Sequence, residues 1–408
     1  MKSESLSPTS NLLLAFALVF SLVAFATPQV RAQTFNVMFS FTGGNDGAGP
    51  LAGLVIDPTT GNLYGTTNVG GSFGYGVVFE LSPSGVETVL YNFTGRHDGG
   101  KPDAKLLIDA KTHNLYGTTL ISGDYDVGTV FELSPTGVLT VLYTFTGGTD
   151  GGSPQASLIM DRVGNLYGTT SAGGATGNGV VFELSPNGVE TVLYSFAGGT
   201  DGAIPLADVT MDKEGNLYGT TSSGGTDKYG TIFELARVPV PSPTASSPTY
   251  TWKENILHNF THQDDGDVPY GGLTLDKAGN LYGTATGGGT NSGGTVFELT
   301  PSDGGWNFTV LYGLAGWDIS GTYQDVLLDA SGNIYGTTHC DGSYAAGTVY
   351  ELTRVAGTWT YNSLYVFTGE TDGLYSFSNL VFDKQGNLYG TTGGGGAYGY
   401  GAVFKVTP

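Results

Sequence analysis

Cysteine is almost absent from this sequence of 408 residues, because Cys340 is the only one. A chain with a single cysteine cannot form an intramolecular disulfide, so its stability has to come from a packed core. This excludes the classes of small extracellular protein that disulfides hold together.

Basic residues are also scarce. The chain has 15 Lys and Arg against 36 Asp and Glu, which gives a net charge of −21. Such a chain repels the phosphates of nucleic acids and of anionic membrane surfaces. We therefore expect no nucleic-acid partner.

Long apolar runs are missing after the first thirty residues. The one such run, residues 12–26, follows Lys2 and precedes the small-residue pattern Val30-Arg31-Ala32, which is typical of a signal peptide and its cleavage site. It is too short to span a bilayer comfortably. We predict a signal peptide at residues 1–32, one mature domain at residues 33–408 and no membrane span, anchor or sorting segment. The expected product is a secreted monomer, extracellular or periplasmic.

No segment of the mature chain shows sustained helical periodicity. The full sequence has 68 glycines and 45 tyrosines and phenylalanines, and in the mature chain the aromatic and β-branched residues are in register with the glycines. This combination is typical of short strands that alternate with turns. The sequence predicts an all-β fold.

A seven-letter motif, GNLYGTT at residues 61–67, returns in six further copies or near-copies along the chain. The spacing between copies is about fifty residues, which is long enough for four short strands. In the third copy we predict strands at residues 156–161, 166–170, 180–185 and 189–198. The tyrosines of the motif mark the seven copies: Tyr64, Tyr116, Tyr167, Tyr218, Tyr282, Tyr335 and Tyr389.

Each four-stranded unit has two apolar faces and no helix to cover them. Radial stacking of the units buries both faces at once, which is the β-propeller architecture. The seventh unit lacks a fourth strand, and residues 35–43 match the fourth-strand pattern. We therefore predict a seven-bladed propeller of four-stranded antiparallel blades, closed by pairing of the N-terminal strand with the last blade. An open solenoid is the alternative, and it would need polar caps.

Function has to be sought where the copies differ. Four residues before the Asp that closes the first strand, the side chain changes from blade to blade: Gly53, Lys105, Ser157, Asp208, Gly272, Asp325 and Asn379. We name these seven positions the axial ring, since the first strand of a blade lies at the axis. From it we select Lys105, Ser157, Asp208, Asp325 and Asn379, together with the loop residue His339, as candidate ligand-binding residues. Alternatively, they are solvated residues beside a water-filled channel.

Other polar clusters have both a functional and a structural interpretation. One Asp at each blade boundary either attracts a cationic or polyhydroxylated ligand or caps a tight turn, and we favour capping: Asp46, Asp98, Asp150, Asp201, Asp265, Asp318 and Asp372. The DDGD segment at residues 264–267 is a weak candidate for calcium, which needs six or more oxygen ligands.

The histidines and tryptophans also have both a functional and a structural interpretation. His97, His262 and His339 lie on loops of different blades without metal-ligand spacing, and Cys340 is a nucleophile only if His339 lowers its pKa. Trp252, Trp306 and Trp359 begin lengthened hairpins, where they either stack on sugars or cover local apolar surface. A Pro/Ser-rich insertion occupies residues 237–252.

The repeat unit, SFTGG.DG..P.A.L..D..GNLYGTT..GG followed by G.VFELSP.G..TVLY, resembles the GloVer tandem repeat of secreted bacterial proteins. Its shorter D..GNLYG core is similar to the NHL repeat of other propellers. The resemblance covers nearly all of residues 33–408 and implies an exported repeat protein, but it offers no catalytic motif to transfer.

Two functions follow as hypotheses. The first is a binding or scaffolding module for a glycan or an extracellular protein. The second is a lyase or lactone hydrolase that acts in the axial channel through Asp208, Asp325 and His339, with or without a divalent metal such as calcium.

Overall fold

A computed structural model describes residues 33–241, 249–316 and 321–408. The predicted signal peptide, the middle of the Pro/Ser-rich insertion and Asp318 lie outside these ranges. In the described part of the chain all regular structure is strand, arranged as seven four-stranded antiparallel blades of a propeller. No helix in these ranges is long and apolar enough to cross a membrane.

The blades follow one another along the chain, and within each the strands run in order from the axis to the outer edge. The bounds are Val55–Ile56, Leu63–Thr67, Val77–Leu81 and Glu87–Asn92 in blade 1; Leu107–Ile108, Leu115–Thr119, Thr129–Leu133 and Leu139–Thr144 in blade 2; Ile159–Met160, Leu166–Thr170, Val180–Leu184 and Glu190–Ser195 in blade 3; Thr210–Met211, Leu217–Thr221, Thr231–Val240 and Thr249–Asn259 in blade 4. They continue with Thr274–Leu275, Leu281–Ala285, Ser292–Ser302 and Gly305–Ala315 in blade 5; Leu327–Leu328, Ile334–Thr338, Thr348–Val355 and Thr358–Val366 in blade 6; Val381–Phe382, Leu388–Thr392, Ala402–Thr407 and the N-terminal Thr34–Ser40 in blade 7. A two-stranded ribbon, Gly202–Ala203 with Ser223–Gly224, adds to blade 4.

The ring closes as predicted. The N-terminal strand pairs antiparallel with the last strand of the chain, from Thr34 opposite Thr407 to Ser40 opposite Ala402. Across the same junction, the Thr391 hydroxyl donates a hydrogen bond to the carbonyl of Ala52 at 2.8 Å. The terminal strand therefore completes blade 7 and covers the edge of the strand Ala402–Thr407.

The core lies between neighbouring blades and combines aliphatic side chains with aromatic rings. Phe182, on the third strand of blade 3, is fully buried and meets Phe145 of blade 2 edge to face at 5.2 Å. A Cβ at Gly168 would lie 2.8 Å from the Phe182 ring, so the glycine of the repeated motif leaves room for this aromatic residue. Tyr167 of the same motif packs against Val209 and Leu217 of blade 4.

The innermost strands are shorter than predicted: blade 3 has the two residues Ile159–Met160 where the sequence indicated six. The preceding backbone bonds to the neighbouring blade instead of to its own sheet, because the first Thr of each motif donates to a carbonyl of the next blade. The seven bonds form a closed circle: Thr66 to Ala104, Thr118 to Ala156, Thr169 to Ala207, Thr220 to Gly271, Thr284 to Gln324, Thr337 to Ser378 and Thr391 to Ala52.

The outer hairpins of blades 4, 5 and 6 are longer than the others, as predicted. Their tryptophans each pack on the preceding blade boundary: Trp252 on the cluster around Leu217, Trp306 on Tyr218 at 5.7 Å, and Trp359 on the cluster around Ile334. They cover local apolar surface, which was one of the two interpretations of the sequence.

Candidate functional site: the axial cavity

The structure brings five of the six candidate residues together. Lys105, Ser157, Asp208, Asp325 and Asn379 line one cavity of about 230 Å³ on the axis. Each lies one residue after a backbone carbonyl that accepts the threonine hydrogen bond from the neighbouring blade. That bond positions the backbone, and alternation along an extended chain then turns the next side chain toward the axis.

A second ring lines the same cavity two residues earlier on each strand, and the sequence analysis missed it. We name it the mouth ring: Leu51, Asp103, Gln155, Leu206, Tyr270, Tyr323 and Phe377. The two-residue period of an extended strand could have indicated this ring, since residues two apart face the same side. Tabulating the repeat at that position would have found it.

The cavity has an aromatic side, formed by the mouth ring of blades 5, 6 and 7. The ring centroids of Tyr270 and Tyr323 are 5.0 Å apart, and those of Tyr323 and Phe377 are 5.2 Å apart. Burial raises the pKa of Tyr323 to about 12, so its hydroxyl stays protonated. Asp103 and Gln155 of blades 2 and 3 line the same cavity and supply polar groups at its mouth.

Two carboxyl groups meet on the floor of the cavity. Asp208 and Asp325 converge over Gly272, where a Cβ would overlap the Asp208 Oδ1 atom and lie 2.9 Å from the Asp325 Oδ1 atom. The Gly272 N–H donates to Asp325 Oδ1 at 2.5 Å. Burial, and then the adjacent Asp325 carboxylate, raise the pKa of Asp208, while the nearby Lys105 ammonium acts in the opposite direction. The raised pKa of Asp208 favours its protonated form beside the Asp325 carboxyl group.

His339 lies beside this cavity without lining it. Its ring packs on Tyr375 at 4.6 Å and on Phe377 at 4.2 Å, behind the aromatic side. Burial lowers the pKa of His339 to about 4, so the imidazole is neutral at physiological pH. Among the described contacts, none joins His339 to Asp208 or Asp325.

The boundary aspartates cap turns, as favoured. In blade 2, Asp150 accepts hydrogen bonds from the Thr146 N–H at 2.8 Å and from the Tyr143 hydroxyl at 3.0 Å. Five of the other boundary aspartates accept from the backbone N–H four residues earlier in the same way: Asp46, Asp98, Asp201, Asp265 and Asp372.

The remaining histidines pair locally with carboxylates. His97 contacts Asp124, and His262 contacts Asp267 of the DDGD segment. Burial and the Asp341 carboxylate raise the pKa of Cys340, which disfavours its thiolate. Within residues 33–241, 249–316 and 321–408, no three His, Cys, Asp or Glu side chains form a group suited to a metal ion.

This geometry can bind a small polar molecule that also has an apolar face. The cavity is smaller than the roughly 300–1,000 Å³ of clefts that take drug-sized ligands. Its aromatic rings offer flat apolar contact, while Lys105, the carboxyl pair, Ser157 and Asn379 offer donors and acceptors.

Comparisons with known proteins identify the family and the fold. A profile of the Gloeobacter/Verrucomicrobia repeat matches residues 23–235 and 244–408, and the chain belongs to that family. No curated protein matches the sequence significantly.

Solved structures with similar folds share little sequence with this chain. The extracellular domain of a provisionally assigned one-component system from B. thetaiotaomicron is 12% identical, with a TM-score of 0.55 over 86% of this chain and 37% of that one. A provisionally assigned 6-phosphogluconolactonase from Bacteroides uniformis is 15% identical, with a TM-score of 0.50 over 81% of this chain and 88% of that one. At these identities the likeness shows the fold alone.

Proposed function

We propose that this member of the Gloeobacter/Verrucomicrobia repeat family is an exported binding module that holds one sugar residue of a glycan in its axial cavity. The observation that carries the proposal is the convergence of different side chains, set on a repeated scaffold, around one small cavity with an aromatic side and a polar floor. The apparent signal peptide at residues 1–32 supports export.

The two sides of the cavity match the two sides of a pyranose. The C–H face of a sugar ring packs well on aromatic rings such as Tyr323 and Phe377, which contribute large apolar area. Its hydroxyls can donate to the Asp208 and Asp325 carboxyl pair and accept from the Lys105 ammonium. The volume of about 230 Å³ suits one residue of a glycan better than several.

A glycan array probed with the purified protein tests this function. Lys105→Met removes the one ammonium group of the axial ring, and we expect it to weaken sugar binding about tenfold or more, in line with the loss of a charged hydrogen bond. Lys111→Met is the matched control, because Lys111 is exposed on a turn at the opposite rim.

The proposal is wrong if no sugar binds above background, or if the Lys105→Met and Lys111→Met variants bind equally. A crystal structure with the best-bound sugar would locate it directly.

A lactone hydrolase is the second candidate, and the carboxyl pair favours it. In a pair of adjacent carboxyl groups, an ionised carboxylate can take a proton from water while a protonated partner donates to a leaving oxygen. One structural neighbour is named as a provisionally assigned 6-phosphogluconolactonase, but at 15% identity its likeness to this chain concerns the fold alone.

Base consumption in a panel of sugar lactones tests this candidate. Turnover that is lost in both Asp208→Asn and Asp325→Asn would replace the binding module by an enzyme. A further loss on treatment with a chelator would indicate a metal-dependent form. No turnover with any lactone would eliminate the candidate.

A further inference from the structure

The loop between the second and third strands of each blade carries a position whose chemistry divides the molecule. It lies three residues before the repeated glycine at the N-terminal end of the third strand. Its occupants, from blade 1 to blade 7, are Phe73, Tyr125, Thr176, Asp227, Asn291, Tyr344 and Tyr398. The four aromatic residues are exposed by 58–63%, an unusual state for such large apolar rings.

These four rings belong to consecutive blades, although the sequence separates them into two pairs near opposite ends of the chain. Tyr344 and Tyr398 lie in blades 6 and 7, and Phe73 and Tyr125 lie in blades 1 and 2. Pairing of the N-terminal strand with blade 7 joins the two pairs into one sector. We name Tyr344, Tyr398, Phe73 and Tyr125 the aromatic crescent.

Each ring of the crescent stands at the apex of a hydrogen-bonded turn. In blade 1 the Gly74 N–H donates to the Gly71 carbonyl at 3.2 Å, and in blade 7 the Gly399 N–H donates to the Gly396 carbonyl at 3.3 Å. The residue after the ring has a positive φ, 81° at Gly74 and 53° at Ala345, which is the geometry of a tight turn. The backbone that carries each ring is therefore fixed before any partner arrives, which lowers the entropic cost of binding.

The fold itself does not use these rings. Two residues later in the same loops, the rings of Tyr75 and Tyr400 pack onto Gly95 and Gly43 of the adjoining connections, so their role is structural. No described ring contact or hydrogen bond involves the side chains of the crescent. The crescent thus differs from the aromatic residues of the core.

The equivalent residues of blades 3 and 5 are polar and are used locally. The Thr176 hydroxyl donates to the Phe196 carbonyl at 2.5 Å, and the Asn291 amide donates to the Gly313 carbonyl at 2.9 Å. Four adjacent blades therefore present a free aromatic ring where these two use a small side chain to brace the outer strand.

We propose that the aromatic crescent binds an extended chain of amino sugars that carry free ammonium groups. Consecutive blades offer one ring each, which suits a polymer whose apolar sugar faces repeat. A net charge of −21 favours a cationic partner, and Asp124 and Asp126 flank the ring of Tyr125. An ammonium group also interacts favourably with an aromatic face. Single-stranded nucleic acid, which also stacks on aromatic rows, is disfavoured by its phosphates.

This surface is separate from the axial cavity and does not depend on the sugar-binding function proposed for it. The Lys105→Met variant affects the cavity only, so it should leave binding at the crescent unchanged. Failure of the cavity proposal and failure of the crescent proposal therefore give different results.

Calorimetry with chitosan hexamers tests the crescent. We expect binding that weakens as salt is raised, because exposed charges are screened. Each single substitution to Thr, at Phe73, Tyr125, Tyr344 or Tyr398, should weaken binding about two- to fivefold, and all four together more than tenfold. Thr is chosen because blade 3 carries it at this position.

The matched control replaces four exposed valines of the opposite rim, Val86, Val138, Val163 and Val189, by Thr. It should retain binding, and thermal melting should show that both fourfold variants remain folded. Equal loss in the two fourfold variants would overturn the proposal.

Three competing partners give distinct outcomes, and each would also overturn it. Equal, salt-independent binding of neutral cellulose hexamers indicates a neutral glycan. Stronger binding of polylysine indicates a cationic peptide. Loss of self-association in the fourfold crescent variant, measured by sedimentation, indicates a second copy of this chain.

Discussion

Two neighbouring positions on the innermost chain segment of each blade behave in opposite ways. The residue whose carbonyl accepts the threonine bond serves the same purpose seven times, from Ala52 to Ser378. The next residue, on the axial ring, has five different identities in seven blades. One position holds the blades together, and the other forms the cavity.

The comparison shows how a repeated scaffold can carry a specific site. The hydrogen bond uses only the backbone at the first position, so it places no demand on the side chain that follows. In blades 2 and 3 the same backbone geometry therefore presents Lys105 and Ser157 to the axis. Stability depends on what the blades share, and binding depends on how they differ.

The sharpest way to break this comparison is to remove a shared core ring. Phe182→Ala should lower the free energy of unfolding by about 3–5 kcal/mol, because it leaves a cavity between two blades. Ser157→Ala, in the axial ring, should change it by less than about 0.5 kcal/mol. Urea unfolding followed by tryptophan fluorescence measures both. Similar values for the two variants would contradict the division between scaffold and cavity.

A smaller effect is expected within the axial ring, at its two glycines. A Cβ at Gly53 would lie 2.9 Å from both the backbone N and O atoms of Asn379, whereas a Cβ at Gly272 would meet mainly the Asp208 and Asp325 carboxyl groups. Backbone cannot move aside easily, so Gly53→Ala should cost about 1–3 kcal/mol. Gly272→Ala should cost less but separate the carboxyl pair and abolish sugar binding. Unfolding curves and the glycan array measure the two effects, and the reverse ranking would refute this reading.

The smallest effect has the opposite sign. The pKa of Asp208 is raised in the folded state above its ordinary value of 3.8, so the folded protein loses stability as pH rises above that value. Asp208→Asn removes this loss and should stabilise the protein by about 1–2 kcal/mol at pH 8, with little gain at pH 4. The measurement is the urea midpoint at both pH values.

Asp109 provides the control for this pH dependence. Its pKa is lowered, chiefly by the Lys111 backbone N–H, so its ionised form stabilises the fold above the ordinary carboxyl pKa. Asp109→Asn should therefore destabilise the protein at pH 8. A stabilising effect of both substitutions would mean that general charge repulsion, rather than the carboxyl pair, is responsible.

Much of the architecture was predictable because local patterns carry it. The fifty-residue period, the turn residues and the strand-like register of the motif indicated seven blades, and the unmatched strand at residues 35–43 indicated how they close. The innermost strands were the exception. Their length depends on bonds such as Thr118 to Ala156, which join different blades and leave no mark on local sequence.

The site was predictable only in part. Tabulating one variable repeat position found five residues that share a cavity, yet it missed Tyr323 and Phe377 at the next position of the same face. His339 was grouped with them because its loop lies on the same rim, but its ring packs behind Phe377. The signal peptide and the secreted location stay predictions.

By itself, the sequence determined the repeat, the strand order, the acidic charge and the lack of disulfides, since each depends on residue type and spacing alone. The tertiary structure decided which residues meet. The contact of Asp208 with Asp325 spans a blade, and the aromatic crescent joins residues from both ends of the chain. Both exist only because the blades close into a ring, which converts distance along the chain into adjacency around an axis.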